Sequence, residues 1–118
     1  FIYGIMTIQY KNQGFALVNA NSTVVLTVPT TAVAIVKSIS IANTSTGNVL
    51  AQCFLNDSSA STSYEFYRSD ITATSTIQAS YPVLNLEAGD SISVKEEAGN
   101  ALKGVISYAL IDRSQENG

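Results

Sequence analysis

The chain is a succession of short alternating runs, each stopped by a turn, and that punctuation leaves room for little besides sheet. The unit is plainest at Val83–Lys95. Leu84 and Leu86 lie two apart, as do Ile92 and Val94, the period that places side chains on one face of a pleated strand. Between them Glu87-Ala88-Gly89-Asp90 supplies a turn. Gly89 is free to take a positive φ, and the Asp90 carboxyl can bond nearby backbone. The stretch predicts a hairpin.

The same grammar runs along the whole chain. Met6–Tyr10 and Phe15–Val18 are β-type runs either side of Lys11-Asn12-Gln13-Gly14. They predict a hairpin, a first strand in the protein's own sheet, or an apolar arm laid on a neighbouring subunit. From Ser22 the alternation sharpens, with Val24, Leu26 and Val28 on one face until Pro29, which cannot donate to a ladder. In Val33–Asn43 the residues Ile35, Lys37, Ile39 and Ile41 share a face, and so many β-branched residues disfavour a helix. Val49, Ala51, Cys53 and Leu55 make the next inward row. Tyr64–Arg68 reads as an aromatic strand broken by Ser69-Asp70, with Tyr64 and Phe66 facing one way and Tyr67 the other. Ile71–Ala79 reads as one further strand. A last strand ending at Ile111 is apolar on both faces and therefore central.

About eight core strands at this spacing, with no helix, define an all-β protein: an antiparallel two-sheet β-sandwich of jelly-roll or Ig-like winding. Its 118 residues make one domain. The organisation expected is an N-terminal arm over 1–19, the sandwich over 20–112 and a polar tail over 113–118.

Function classes narrow by chemistry. The sequence contains no His, and its single Cys53 lies in an apolar run, so nucleophile–base pairs have no members. Asp57, Asp70, Glu87, Asp90, Glu96 and Glu97 sit in or beside turns, where acids are mostly solvated or capping. No enzyme activity and no cofactor are expected. Calcium is a weaker option, since Asp57, Asp70, Glu87 and Asp90 could converge at one end of a sandwich, but no D-x-D-x-D-G series supports it. A net charge of −3 with six scattered basic residues argues against nucleic acid. No apolar stretch approaches the ~18 residues of a membrane helix. Tyr67 and Tyr81 with Arg68 and Asp70 form a possible ligand surface, the aromatic and polar mixture that sugars require.

The order of segments also resembles a known group. Residues Asn21–Pro29 run into Ala34–Asn43, then Leu55–Tyr64, then Leu84–Val94, and a closing strand ends Ser107-Tyr108-Ala109-Leu110-Ile111. This is similar to small virion structural proteins of tailed bacteriophages, notably those of cyanobacteria, over about residues 15–111. The resemblance implies a non-enzymatic component of the virion, assembled in the host bacterial cytoplasm: a capsid decoration (cement) protein, or a neck or tail accessory. Its partners would be the major capsid or neck and tail proteins and further copies of itself, with a trimer the expected count. A low-charge, hydroxylated surface suits such contacts. The expected assembly interface comprises Phe1, Ile2, Tyr3, Ile5, Ile8, Tyr10 and Phe15. The alternative is a host-surface glycan-binding module of a tail fibre or baseplate, using Tyr67, Arg68, Asp70 and Tyr81.

Overall fold

A computed structural model describes residues 7–79, 83–97 and 99–112, and among these there are nine strands and no helix. They are β1 (Thr7–Ala16), β2 (Thr23–Thr27), β3 (Ala32–Asn43), β4 (Val49–Asp57), β5 (Thr62–Ile71), β6 (Thr76–Gln78), β7 (Leu84–Leu86), β8 (Ser91–Glu96) and β9 (Leu102–Asp112). One sheet has the order β1-β9-β3-β6, with β7 also on β3; the other has the order β2-β8-β4-β5, and every pairing is antiparallel. Apart from β4–β5, successive strands either cross between sheets or, for β6 and β7, pair in turn with β3. This is jelly-roll winding. The last strand is central, as its two apolar faces required, and the core lies between the sheets around Val36, Ile39, Ile41, Cys53, Ile92, Val94 and Ile106.

Crossing corrects the hairpin expected at Val83–Lys95. Its two halves are strands, and Gly89 does take a positive φ of 84°. Yet β7 pairs β3 while β8 pairs β2 and β4, so the turn bridges the sheets. Both halves have an apolar row, and arching over the core buries Leu86 and Ile92 together, which a flat hairpin cannot do. Gly89 N–H also donates to the Val28 carbonyl (3.1 Å), and Val28 N–H donates to the Asp90 carbonyl (2.9 Å). The turn is thereby tied to the end of β2.

The N-terminal runs are one strand. β1 pairs β9 without interruption from Thr7↔Asp112 to Ala16↔Lys103, so Lys11–Gly14 is no turn. Gly14 sits within the ladder opposite Val105. Gly104 sits opposite Phe15 on one side and Ile41 on the other. The Phe15 ring lies over this glycine: a Cβ built there would be 2.5 and 2.8 Å from ring carbons, and would also collide with the Ser40 carbonyl oxygen. An aromatic side chain thus occupies the place of the missing one.

Three bulges displace rows that strict alternation would align. In β2 the register shifts between Val24 and Leu26, so Val25 and Leu26 are both buried and Val24 is exposed. In β3 it shifts between Val36 and Ser38, which sends Lys37 outward and puts Ala34 and Val36 on the same inner face as Ile39 and Ile41. Ile35 is therefore an outer-face residue. In β5 the extra residue is Phe66, between Tyr67 opposite Cys53 and Glu65 opposite Phe54. Phe66 and Tyr67 both pack on the core, and Tyr64 is exposed.

β5 also runs through Ser69-Asp70, because these residues keep their pairing with Ala51 and Leu50. The break falls later, at Thr72–Ser75. Thr74 takes φ 57°, Asn48 Oδ1 accepts from Ala73 N–H (3.1 Å), and Ser75 N–H donates to the Thr72 carbonyl (3.1 Å).

Candidate functional site

The described members of the expected assembly interface belong to β1. Phe1, Ile2, Tyr3 and Ile5 lie outside the described residues. Phe15 is half-buried against the core, whereas Ile8 and Tyr10 are 57% and 76% exposed. Pairing places Ile8, Ile111 and Val33 in one row across the outer face of the β1-β9-β3 sheet, and Tyr10, Ala109 and Ile35 in the next. Asn12, Ser107 and Ser38 follow, then Gly14, Val105 and Ser40, then Ala16, Lys103 and Ala42. Large apolar side chains gather at one end and small residues at the other. The Lys37 Nζ, released outward by its bulge, lies 4.9 Å from the Tyr10 ring centroid, a cation–π contact. Ala109, on the strand between them, is buried.

The outer face of the other sheet has the opposite chemistry. Arg68 donates to both Glu65 oxygens (2.9 and 3.1 Å), and Gln52 donates to Glu65 Oε2 (2.6 Å). These contacts hold the Glu65 carboxyl below its usual range, the Arg68 hydrogen bond first among the causes, and raise the Arg68 guanidinium in turn. Asn56 Nδ2 donates to the Ser91 and Ser93 hydroxyls, and Ser63 donates to Asn56 Oδ1. This face carries a polar network, with Val24, Phe54 and Leu50 set among its members.

The expected ligand surface is divided by these arrangements. Arg68 and Asp70 stand opposite Gln52 and Leu50 on the outer face. Tyr67 stands opposite Cys53 on the inner one. Consecutive strand residues point to opposite faces, so Tyr67 is parted from Arg68 and Asp70 by plain alternation, and the bulge at Phe66 decides that Tyr67 is the inward one. Tyr81 lies outside the described residues.

Of the four acids considered for calcium, three converge. Single carboxylate oxygens of Asp57, Glu87 and Asp90 come within 4.8 Å of one another, whereas Asp70 belongs to the outer-face row of β5 and is not among them. The oxygens are hard donors of the kind calcium takes. Two of the three carboxyls already bind the chain. Asp90, buried, accepts from Ser58 N–H (3.0 Å) through Oδ1 and from Glu87 N–H (2.9 Å) through Oδ2. Asp57 Oδ1 accepts from the Ser59 hydroxyl and from the Ser59 and Ala60 N–H groups, which lowers its carboxyl. The arrangement latches the 57–61 loop to the 87–90 turn.

Glu96 was the residue that turn position misjudged. It is fully buried, facing inward opposite Ala51, and its two oxygens accept from Ala101 N–H (2.9 Å) and Leu102 N–H (2.7 Å). It organises the crossing from β8 to β9. The hint was its parity, since it continues the Ile92, Val94 row. Cys53 is buried as expected, and burial pushes its thiol up to about 12.

No family model matches this chain, and no curated protein matches it significantly. Solved structures do share the fold. A protein of Bacillus endospore appendages, which form disulfide-linked pili, aligns with a TM-score of 0.57 and 13% identity over 97% of this chain and 96% of that one. A chain from the capsid of Helicobacter pylori bacteriophage KHP30 aligns with 0.55 and 11% over 96% and 92%. A chain of the T13 infectious bursal disease virus particle aligns with 0.56 and 6% over 97% of this chain but 33% of its own length. The fold is thus one found in viral capsid and pilus subunits.

Proposed function

We propose that this protein is a non-enzymatic structural subunit of a tailed-phage virion, a capsid decoration (cement) or neck or tail accessory protein of the cyanobacterial-phage kind. It binds other virion proteins and further copies of itself. The observation that carries the reading is the end-to-end agreement with the phage capsid chain, where the sandwich accounts for nearly all of both molecules. The segment order set out above points the same way. Its contacts are non-covalent, unlike the disulfide links of the appendage pili, because the sole cysteine is buried and its thiol is pushed up to about 12.

Residues 1–19 are the assembly segment in this reading, with Ile8 and Tyr10 its exposed described members. Cutting the chain at residue 10 would also remove four β1–β9 pairs, so substitution is the cleaner probe. The direct test is cryo-electron microscopy of intact virions. Density of this sandwich at regular head positions supports a cement role, and a ring at the neck or tail supports an accessory role. Absence from the particle sinks the proposal.

A further inference from the structure

The two outer faces differ in a way that a freely soluble sandwich does not need. One carries a polar network built on Glu65, Arg68, Gln52 and Asn56, with the apolar Val24, Phe54 and Leu50 among it. On the other, the five rows across β1, β9 and β3 carry one charged side chain, Lys103, with Lys37 beside them at the bulge. This second face also has relief. Tyr10 stands out at one end, and towards the other a hollow of ≈270 Å³ opens among Ser40, Ala42, Thr76, Lys103, Gly104 and Val105. Ser40, Ala42 and Gly104 in the hollow are small, and Thr76, Lys103 and Val105 complete its lining.

From this relief we propose that the outer face of the five-stranded sheet is a self-association surface: two copies pack face to face, each inserting Tyr10 into the other's hollow. A two-fold axis lying between the faces exchanges knob and hollow, so both contacts form at once, the self-complementarity that closed dimers require. The hollow is open to solvent and Lys103 lines it, so a tyrosine seated there has a cation beside it. Ile8, Val33 and Val105, all exposed in the single copy, are covered together. Five rows at a spacing of roughly 7 Å across three to four strands give about 500 Å² per copy. The total of about 1,000 Å² is at the lower limit for a specific interface, so the pair is weak alone and reinforced where many copies are held together. The inference extends the assembly reading above but does not need the particle.

Sedimentation of the full chain across the micromolar range tests it. The expected result is a reversible monomer–dimer equilibrium. Tyr10→Glu and Val105→Arg should each weaken dimerisation by about tenfold or more while the chain stays folded, as read by circular dichroism. Val24→Glu, on the opposite face, should leave it unchanged. A chain with Tyr10→Cys and Ala42→Cys gives the geometric test. Within one copy those positions are roughly 20 Å apart, beyond disulfide reach. Oxidation should give a covalent dimer closed by two bonds, in greater yield than either single variant. A wild-type chain that stays monomeric overturns the proposal, as does a dimer indifferent to both face variants. A ladder of higher oligomers on oxidation would show head-to-tail contact and overturn the two-fold arrangement. A dimer that behaves as expected from a protein missing from virions would sink the virion reading and leave this one standing.

Discussion

Gly104 offers a test in which the sign of the effect is informative. A glycine inside a strand costs stability relative to alanine, so Gly104→Ala with open space above it should stabilise by about 0.5–1 kcal/mol. The structure predicts the reverse. The new Cβ falls 2.5 and 2.8 Å from Phe15 ring carbons, and the Ser40 carbonyl closes the other side. Relief requires the ring to retreat by roughly 0.6–0.9 Å and the Ser40 main chain to give way as well, while β3 and β9 are held by pairing on both sides of the point. Overpacking of this kind costs ~1–3 kcal/mol, giving a net loss between about 0 and 2.5 kcal/mol and a melting temperature lower by up to about 10 °C. Urea denaturation followed by circular dichroism measures it. A companion cycle with Phe15→Ala separates the two obstacles. If the ring is the obstacle, alanine at 104 becomes harmless or favourable once Phe15 is gone, with a coupling of at least about 0.5 kcal/mol. An unchanged cost would assign the obstruction to the Ser40 carbonyl. A Gly104→Ala protein more stable than the parent would refute the argument.

Three further outcomes follow from buried or paired polar groups. Glu96→Ala strands two buried N–H groups and should cost about 2–5 kcal/mol; Glu96→Gln keeps one acceptor and should cost less, by the same denaturation assay. Native Cys53 should resist a thiol reagent at pH 8 and react fully once urea unfolds the chain, because burial holds the thiol at about 12. Asp57 and Glu65 have folded-state values lowered from 3.8 and 4.5, so their contribution is present above those values and is lost as pH falls through the lowered ones. Carboxyl chemical shifts across an acid titration should show both midpoints below the reference values.

Much of the fold was legible because its causes are local. Alternation in Ile92–Val94, the Pro29 stop and the Gly89 turn are each decided by a few neighbouring residues. What was hidden is decided between strands. Nothing in Val36-Lys37-Ser38 announces a bulge; the extra residue is absorbed because β9 offers one fewer partner there. Phe66 behaves likewise, and it is what turns Tyr67 inward. The turn at Glu87–Asp90 was recognised, but whether it joins neighbours or crosses the core depends on what Leu86 and Ile92 find to pack against. Among the candidate residues, the exposure of Ile8 and Tyr10 likewise depends on pairing with β9, about a hundred residues away in sequence.

That last pairing has a bearing on how the molecule is made. β1 leaves the ribosome well before β9, which among the described residues is the strand it pairs with. Until β9 is released β3 also lacks its main neighbour, leaving an apolar strand edge with nothing to pair with. Folding of this sheet therefore waits for β9, through contacts of long sequence separation that form slowly. During that wait a crowded cell making many copies exposes the unpaired edges to one another. Slower synthesis or lower temperature should accordingly raise the soluble yield.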